Sequence, residues 1–230
     1  LWYQGESDAF DSARAKIYGK LFQAWVSQLR EDLSQPNLPV VFVQIGPYNL
    51  ESSEHRNNWK KIQAAQFEMF GQSPYTAGVA SMDAMLDSSR DLSASGLSLV
   101  GRRLALAADK AMKGEGASAT PLPLTAYRQR LSWNHEWHSL DVMSIYLKFK
   151  HLSSPWKLEP DQPVVGFSFG SFKTPITKAF VADAKKGSVR LYLHRVIEGP
   201  LVIHYGMQPG RANLVTQDGR ALPAFANFPV

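Results

Sequence analysis

The segment Gln4, Gly5, Glu6 and Asp8 places an amide, a glycine and two carboxylates directly after the apolar run Leu1–Tyr3. In open α/β sheets ligands bind beyond the carboxyl ends of strands, so a polar cluster in this position is a candidate site. The Gln4 amide could donate to an oxyanion that develops during acyl transfer, a contact worth about 3 kcal/mol. Gly5 would allow a close or strained backbone approach there. The alternative is a solvated turn.

Strand-like and helix-like patterns alternate over the first 115 or so residues. Pro39–Gly46 and Thr76–Met82 are continuous apolar runs, typical of strands that are buried on both faces of a parallel sheet. Helical periodicity lies between and after the runs. In the first helix, predicted to be capped by Ser12, the expected buried positions are Tyr18, Leu21, Phe22, Trp25, Leu29 and Leu33. The alternation predicts an α/β fold with three adjacent parallel strands and helices on both faces.

The pattern changes after Gly114. Gly114–Thr125 is interpreted as a linker from its Gly, Pro, Ser and Thr content. Short β-like runs follow, at Ser144–Leu152, Val164–Phe169, Val189–His194 and Leu201–Tyr205. We therefore predict that residues 1–116 form one domain and residues 121–230 a small antiparallel, sandwich-like β domain. Trp133, Trp137 and Trp156 would pack in its core or form a platform on which sugars stack.

Composition excludes several classes of function. The 25 Lys and Arg against 20 Asp and Glu are scattered in the sequence, so we expect no nucleic-acid partner. No apolar run reaches the roughly 18 residues that a membrane helix requires, so no membrane contact is expected. Cysteine is absent, which removes disulfides and thiolate metal sites. His135 and His138 form a pair without a third ligand, so no metal site is predicted.

Trp2–Ala9, which reads WYQGESDA, resembles the W-x-Q-G-E-S-N/D-A block of sialate O-acetylesterases and related carbohydrate acetylesterases of the SGNH hydrolase superfamily. Further segments are similar to other blocks of that family: Pro39–Gly46, Trp59–Gln66, Val100–Ala105, Gly199–Gly206 and Leu222–Phe228. The resemblance extends over nearly the whole chain, and its first block is the most specific part.

The resemblance implies a three-layer, flavodoxin-like domain that hydrolyses acetyl esters on sugars by a Ser-His-Asp mechanism without a metal or cofactor. Its partner would be an acetylated carbohydrate, and its location extracytoplasmic. Gln4 would help to build the oxyanion hole, with Gly5, Glu6 and Asp8 around it. The family's nucleophile lies in an upstream Gly-Gln-Ser block, which this sequence lacks. We therefore expect a C-terminal fragment that needs its N-terminal half for activity.

The family carries its Asp and His just before the last helix, and Asp87–Gly96 departs from that pattern. In one register Asp91 is the acid and Ser93 replaces the histidine; in the other Asp91 itself replaces it. Both registers lose the imidazole, whose pKa near neutrality suits a general base. Ser93 could instead simply cap the helix. His55, at the start of the second helix, is not expected to reach the site, so an inactive, glycan-binding descendant is the alternative function.

Overall fold

A computed structural model of the chain describes residues 1–135, 138–158, 162–169, 176–183, 187–193 and 195–230. The helices are α1 (Ser12–Asp32), α2 (Ser53–Phe67) and α3 (Ala94–Met112), with short 3₁₀ turns at Asp8–Phe10 and Gly116–Ser118. The strands are β1 (Val40–Val43), β2 (Thr76–Val79), β3 (Leu122–His135), β4 (His138–Lys150), β5 (Phe167–Phe169), β6 (Ile176–Asp183), β7 (Ser188–Leu193), β8 (Val202–Tyr205) and β9 (Phe225–Pro229). None of the described helices is long and apolar enough to cross a membrane.

The predicted parallel strands lie side by side. β1 pairs in parallel with β2, with Val40 opposite Thr76. On the other side of β1, Trp2 forms a parallel bridge in which its N–H donates to the Val41 carbonyl at 2.8 Å. Its carbonyl accepts from the Val43 N–H at 2.9 Å. The parallel pairing of β1 and β2 is as predicted, whereas the predicted third strand is represented by the single bridge at Trp2.

Helices cover both faces of these strands. Phe42 packs on one face among side chains of α1 and α2, including Phe22 at a ring distance of 5.3 Å. Val41 and Val43 point to the opposite face and pack with α3 residues such as Val100. Successive strand residues alternate between faces, which is why β1 is buried throughout.

Two details of α1 differ from the prediction. Asp11, not Ser12, is the N-cap, and its carboxylate accepts from two backbone amides of the first turn. Ser12 instead donates to Glu54 at 2.7 Å. Leu21 and Leu33 are 58% and 51% exposed, so the predicted buried face was wrong at both positions. The buried stripe consists of Ala15, Tyr18, Phe22 and Val26, and Leu21 lies about 100° away from Phe22 around the helix.

The second part of the chain is antiparallel β, as predicted. One sheet has the strand order β3-β4-β7-β6 and the other β5-β8-β9. The predicted linker Gly114–Thr125 is wrong from Leu122 onward, because β3 begins there. Pro123 is compatible with β3 because β3 is an edge strand of its sheet. An edge strand tolerates the N–H group that proline lacks. The sequence patterns also missed β6 and β9.

The two sheets and the α/β part share apolar packing. Ile145 and Leu191 of the larger sheet contact the same core as Tyr205 and Phe225 of the smaller one. Met82, which follows β2, belongs to that core as well. The division of the chain into two domains stays a prediction.

Of the three tryptophans considered for a sugar platform, Trp156 has a described side chain. Trp156 is 5% exposed, packs edge-on against Phe149 at 5.2 Å and donates to the Gly187 carbonyl at 2.6 Å. It is therefore a core residue. Trp137 and the side chain of Trp133 lie outside the described part of the structure.

Candidate functional site

The loop between β2 and α3 folds back on itself and reaches the segment that follows β1. Leu86 and Leu92 form an antiparallel bridge, and the N–H of Asp87 donates to the Asp91 carbonyl at 2.9 Å. At the tip of this loop, the Ser89 carbonyl accepts from the N–H of Asn49 at 2.6 Å. The loop carrying Asp91, here called the Asp91 hairpin (residues 86–92), thus extends across the carboxyl end of the neighbouring strand.

Phe10 joins the Asp91 hairpin to the first loop of the chain. The Arg90 guanidinium lies 4.5 Å from the Phe10 ring centroid. The ring of His55 lies 4.3 Å from the same centroid. Phe10 closes the short turn that follows Gln4. The packing of α2 against this turn therefore brings the His55 imidazole to the first loop of the chain.

The charges of the Asp91 hairpin act on the Glu6 carboxylate. Burial raises the pKa of Glu6 above its usual value, the Asp91 carboxylate raises it further, and Arg90 acts in the opposite direction. Burial also raises the pKa of Tyr3, with additional contributions from Glu6 and Asp91. The structure therefore brings Tyr3, Glu6 and Asp91 together, as predicted for the last two; Glu6 is half-buried, whereas Tyr3 and Asp91 are exposed.

Gln4 is held firmly at the edge of this cluster. Its backbone carbonyl accepts from the Tyr18 hydroxyl at 2.9 Å and from Gln66 Nε2 at 3.0 Å. Its own Nε2 donates to Asp8 Oδ2 at 2.6 Å. An amide carries two N–H groups, so one remains for a further acceptor. Gln4 and Asp8 line an open cavity of about 490 Å³ together with Trp2, Arg14, Tyr18, Leu21, Phe22 and Trp25.

Gly5 occupies a position that no other residue fits easily. Its φ is +146°, and a Cβ there would lie 2.9 Å from a methyl carbon of Ile62 and 3.0 Å from one of Ile45. The strained backbone and the close approach that were expected at Gly5 are therefore present. The groups that approach this backbone are the side chains of Ile62 and Ile45. A role of Gly5 in ligand binding stays a prediction.

Asp91 and Ser93 have different surroundings. The Asp91 carboxylate is exposed and accepts from the Ser88 hydroxyl at 2.7 Å. Ser93 is 9% exposed and caps α3, accepting from the N–H of Gly96 at 3.1 Å. The geometry agrees with the alternative that Ser93 only caps the helix, because its hydroxyl oxygen already accepts the capping hydrogen bond. The catalytic role of Asp91 and the binding role of Ser93 stay predictions.

Three contributors to this site were not predicted as such: Tyr3, Phe10 and Arg90. The sequence shows an aromatic residue, Phe10, shortly after the polar block and a cation, Arg90, beside Asp91. Neither pattern identifies which residue the side chain contacts. Among the histidines with described side chains, His151 and His204 belong to the β part, which leaves His55 beside the site. The side chains of His135 and His138, and all of His194, lie outside the described residues. The described residues contain no group of three side chains suited to hold a metal ion.

Comparison with known proteins relates this chain to carbohydrate esterases. Residues 1–110 match the model of the family described as carbohydrate esterase, sialic acid-specific acetylesterase. A probable carbohydrate esterase from Arabidopsis thaliana is 47% identical over 45 residues, which are 20% of this chain and 17% of that protein. The crystal structure of a novel carbohydrate acetylesterase from Xanthomonas citri superposes with a TM-score of 0.73 and 22% identity over 98% of this chain.

The superposition shows a shared fold, and this chain spans 49% of that structure's length. All six predicted site residues lie within the matched residues 1–110. They are Gln4, Gly5, Glu6, Asp8, Asp91 and Ser93.

Proposed function

We propose that this chain, whose residues 1–110 belong to the sialic acid-specific carbohydrate esterase family, is part of a carbohydrate O-acetylesterase that removes acetyl groups from sugars. The observation that carries the proposal is the meeting of the Gln4–Glu6 segment with the Asp91 hairpin beyond parallel strands. Ligands bind at that end of an open α/β sheet. An acetylated carbohydrate is the proposed substrate.

The proposed chemistry is serine acyl transfer. A serine hydroxyl attacks the acetyl carbonyl, an imidazole takes the serine proton, and the sugar leaves as an alcohol. Water then releases acetate from the acetyl-enzyme. We assign the oxyanion contact to the free N–H of Gln4, and we place the nucleophile outside these 230 residues because their sequence lacks the Gly-Gln-Ser block. His55 is the candidate base, since its ring packs against Phe10 beside this site.

The proposal extends to the architecture. Residues 1–116 would be the second half of a three-layer SGNH domain, and residues 121–230 an accessory β domain packed against it. The shared core around Met82 and Tyr205 supports a fixed contact between the two. The cavity beside Trp2 and Gln4 would then receive the other half of the esterase domain.

The test is acetate release from O-acetylated sialic acid and from acetylated xylan. We expect release by the protein extended with its upstream coding sequence, and none above buffer by the 230 residues alone. In the extended protein, Gln4→Ala should lower kcat about 10²- to 10³-fold, the usual effect of losing one oxyanion donor. His55→Ala should lower it at least as much. Gln23→Ala, on the exposed face of α1, is the matched control and should leave kcat unchanged.

Several results would count against the proposal. Turnover by the 230 residues alone would place the nucleophile within them and direct attention to Ser7 or Ser93. An unaffected His55→Ala variant would move the base elsewhere. Binding of acetylated sugars without acetate release by the extended protein would favour an inactive, glycan-binding descendant.

A further inference from the structure

A row of stacked side chains crosses the sheet β3-β4-β7-β6. Tyr127 and Tyr146 stack with ring centroids 5.3 Å apart and planes at 7°. Tyr192 and Phe180 stack at 5.7 Å and 18°. Between the two pairs, the Arg190 guanidinium lies 4.5 Å from the Tyr146 centroid and 4.8 Å from that of Tyr192. These five residues, here called the aromatic row, span all four strands.

The strand register accounts for the row. Tyr127 is opposite Tyr146, Tyr146 is opposite Arg190, and Arg190 is opposite Phe180. Directly opposed residues share one face of a sheet. The adjacent Leu147 and Leu191 point to the other face, where both are fully buried in the core. The row therefore lies on the outer face, and Tyr127 at its end is 44% exposed.

Three cations accompany the aromatic row. Lys148 lies 5.7 Å from the Tyr127 centroid and Lys178 5.5 Å from that of Phe180. Neither lysine nor Arg190 forms a salt bridge with a carboxylate of the described residues. An aromatic ring holds a cation but carries no net charge, so the positive charge of each side chain persists.

Arg190 is fixed in place at the centre of the row. Its Nη2 donates to Gln129 Oε1 and to Ser144 Oγ, both at 3.0 Å. Its Nε is buried and has no hydrogen-bond partner among the described residues. A cation that is already ordered loses little conformational entropy when it binds an anion.

We propose that the aromatic row binds an acidic carbohydrate chain at a surface distinct from the candidate catalytic site. The hydroxyl of the exposed Tyr127 can pair with the hydroxyl groups of a sugar. Carboxylates of the sugar chain can pair with Lys148, Arg190 and Lys178. Four strands at their usual spacing extend about 14 Å, which suits a polymer rather than one sugar. The choice of a carbohydrate over other polyanions rests on the proposed function.

The test is binding of the purified protein to polysialic acid by calorimetry at low and high salt, with neutral xylan as comparison. We expect binding to polysialic acid that weakens as salt increases, and little binding to xylan. Lys148→Gln combined with Lys178→Gln should weaken binding about fivefold or more. Lys16→Gln combined with Lys20→Gln, both exposed on α1, removes the same charge elsewhere and should leave affinity unchanged. Arg190→Gln should abolish detectable binding.

Three outcomes would overturn the inference. Equal losses in the two double variants would mean that net charge alone drives binding. Equal affinity for xylan would remove the role of the acidic groups. Tighter binding of single-stranded DNA than of polysialic acid at the same salt would identify a nucleic-acid surface instead. None of these readouts measures acetate release, so failure here leaves the proposed esterase function untouched, whereas failure of the esterase function would remove the reason for choosing a carbohydrate over other polyanions.

Discussion

Gln44 and Ala224 lie 180 residues apart in sequence and are joined by two hydrogen bonds. The N–H of Ala224 donates to Gln44 Oε1 at 2.7 Å, and Gln44 Nε2 donates to the Ala224 carbonyl at 2.8 Å. The same Nε2 donates to the Gln63 carbonyl of α2 at 2.9 Å. Gln44 is fully buried, so this side chain ties the end of β1 to α2 and to the residue that precedes β9.

Replacing this amide should destabilise the whole protein. Gln44→Leu keeps a similar volume but leaves buried groups of Ala224 unpaired, which costs about 1 to 3 kcal/mol for each group. We expect the free energy of unfolding in urea to fall by about 2 to 4 kcal/mol. Gln23→Leu on the exposed face of α1 should change it by less than about 0.5 kcal/mol. A loss below about 1 kcal/mol for Gln44→Leu would show that the two parts hold together without this link.

Gly5→Ala should be destabilising because the backbone conformation disfavours a Cβ and because neighbouring side chains leave too little room for one. The φ of +146° strains any residue with a Cβ, and that Cβ would meet Ile62 and Ile45 at 3.0 Å or less. We expect a loss of about 1 to 3 kcal/mol in thermal or urea unfolding. Gly101→Ala is the matched control. It lies in α3 with no atom within 4 Å of the added carbon, so it should stabilise by up to about 1 kcal/mol. Equal effects would contradict this account of Gly5.

Arg103 should not tolerate lysine. Its guanidinium donates to both Asp83 oxygens at 2.6 and 2.7 Å, and to the carbonyls of Ala80 at 2.9 Å and Gly219 at 2.6 Å. Lysine cannot reproduce this planar fork, and a buried pair that loses contacts is costly. We expect Arg103→Lys to lower the free energy of unfolding by about 2 kcal/mol or more. Arg102→Lys, exposed one residue earlier, should be neutral, and similar losses at both positions would refute the argument.

Glu6 should make stability depend on pH. Its pKa in the folded protein is raised, chiefly by burial and then by Asp91. A raised pKa means that the contribution of Glu6 is fully favourable below its unfolded pKa and is lost as pH rises through the folded value. Glu6→Gln should therefore unfold at a higher temperature than the parent protein at pH 7, and the difference should vanish below about pH 4. The exposed Glu31→Gln should show no such crossover. A gain that persists at low pH would point to packing rather than charge.

Local patterns determined much of the fold. The apolar runs around β1 and β2 specified buried parallel strands, because strands covered on both faces need apolar side chains at every position. Ser93 was identifiable as a cap, and Gly5 as a site of backbone strain, since both depend on the residue and its immediate neighbours. The motif around Gln4 likewise located one half of the candidate site.

Tertiary packing decided the rest. Pairing of His55 and Arg90 with Phe10 depends on how α2 and the Asp91 hairpin meet the first loop, and no local spacing encodes that meeting. The aromatic row depends on strand register, because a shift of one residue would send Tyr146 to the opposite face. Residues that are distant in sequence come into contact only when whole helices, strands and loops pack together. The type of a single residue therefore does not determine which distant residue it contacts.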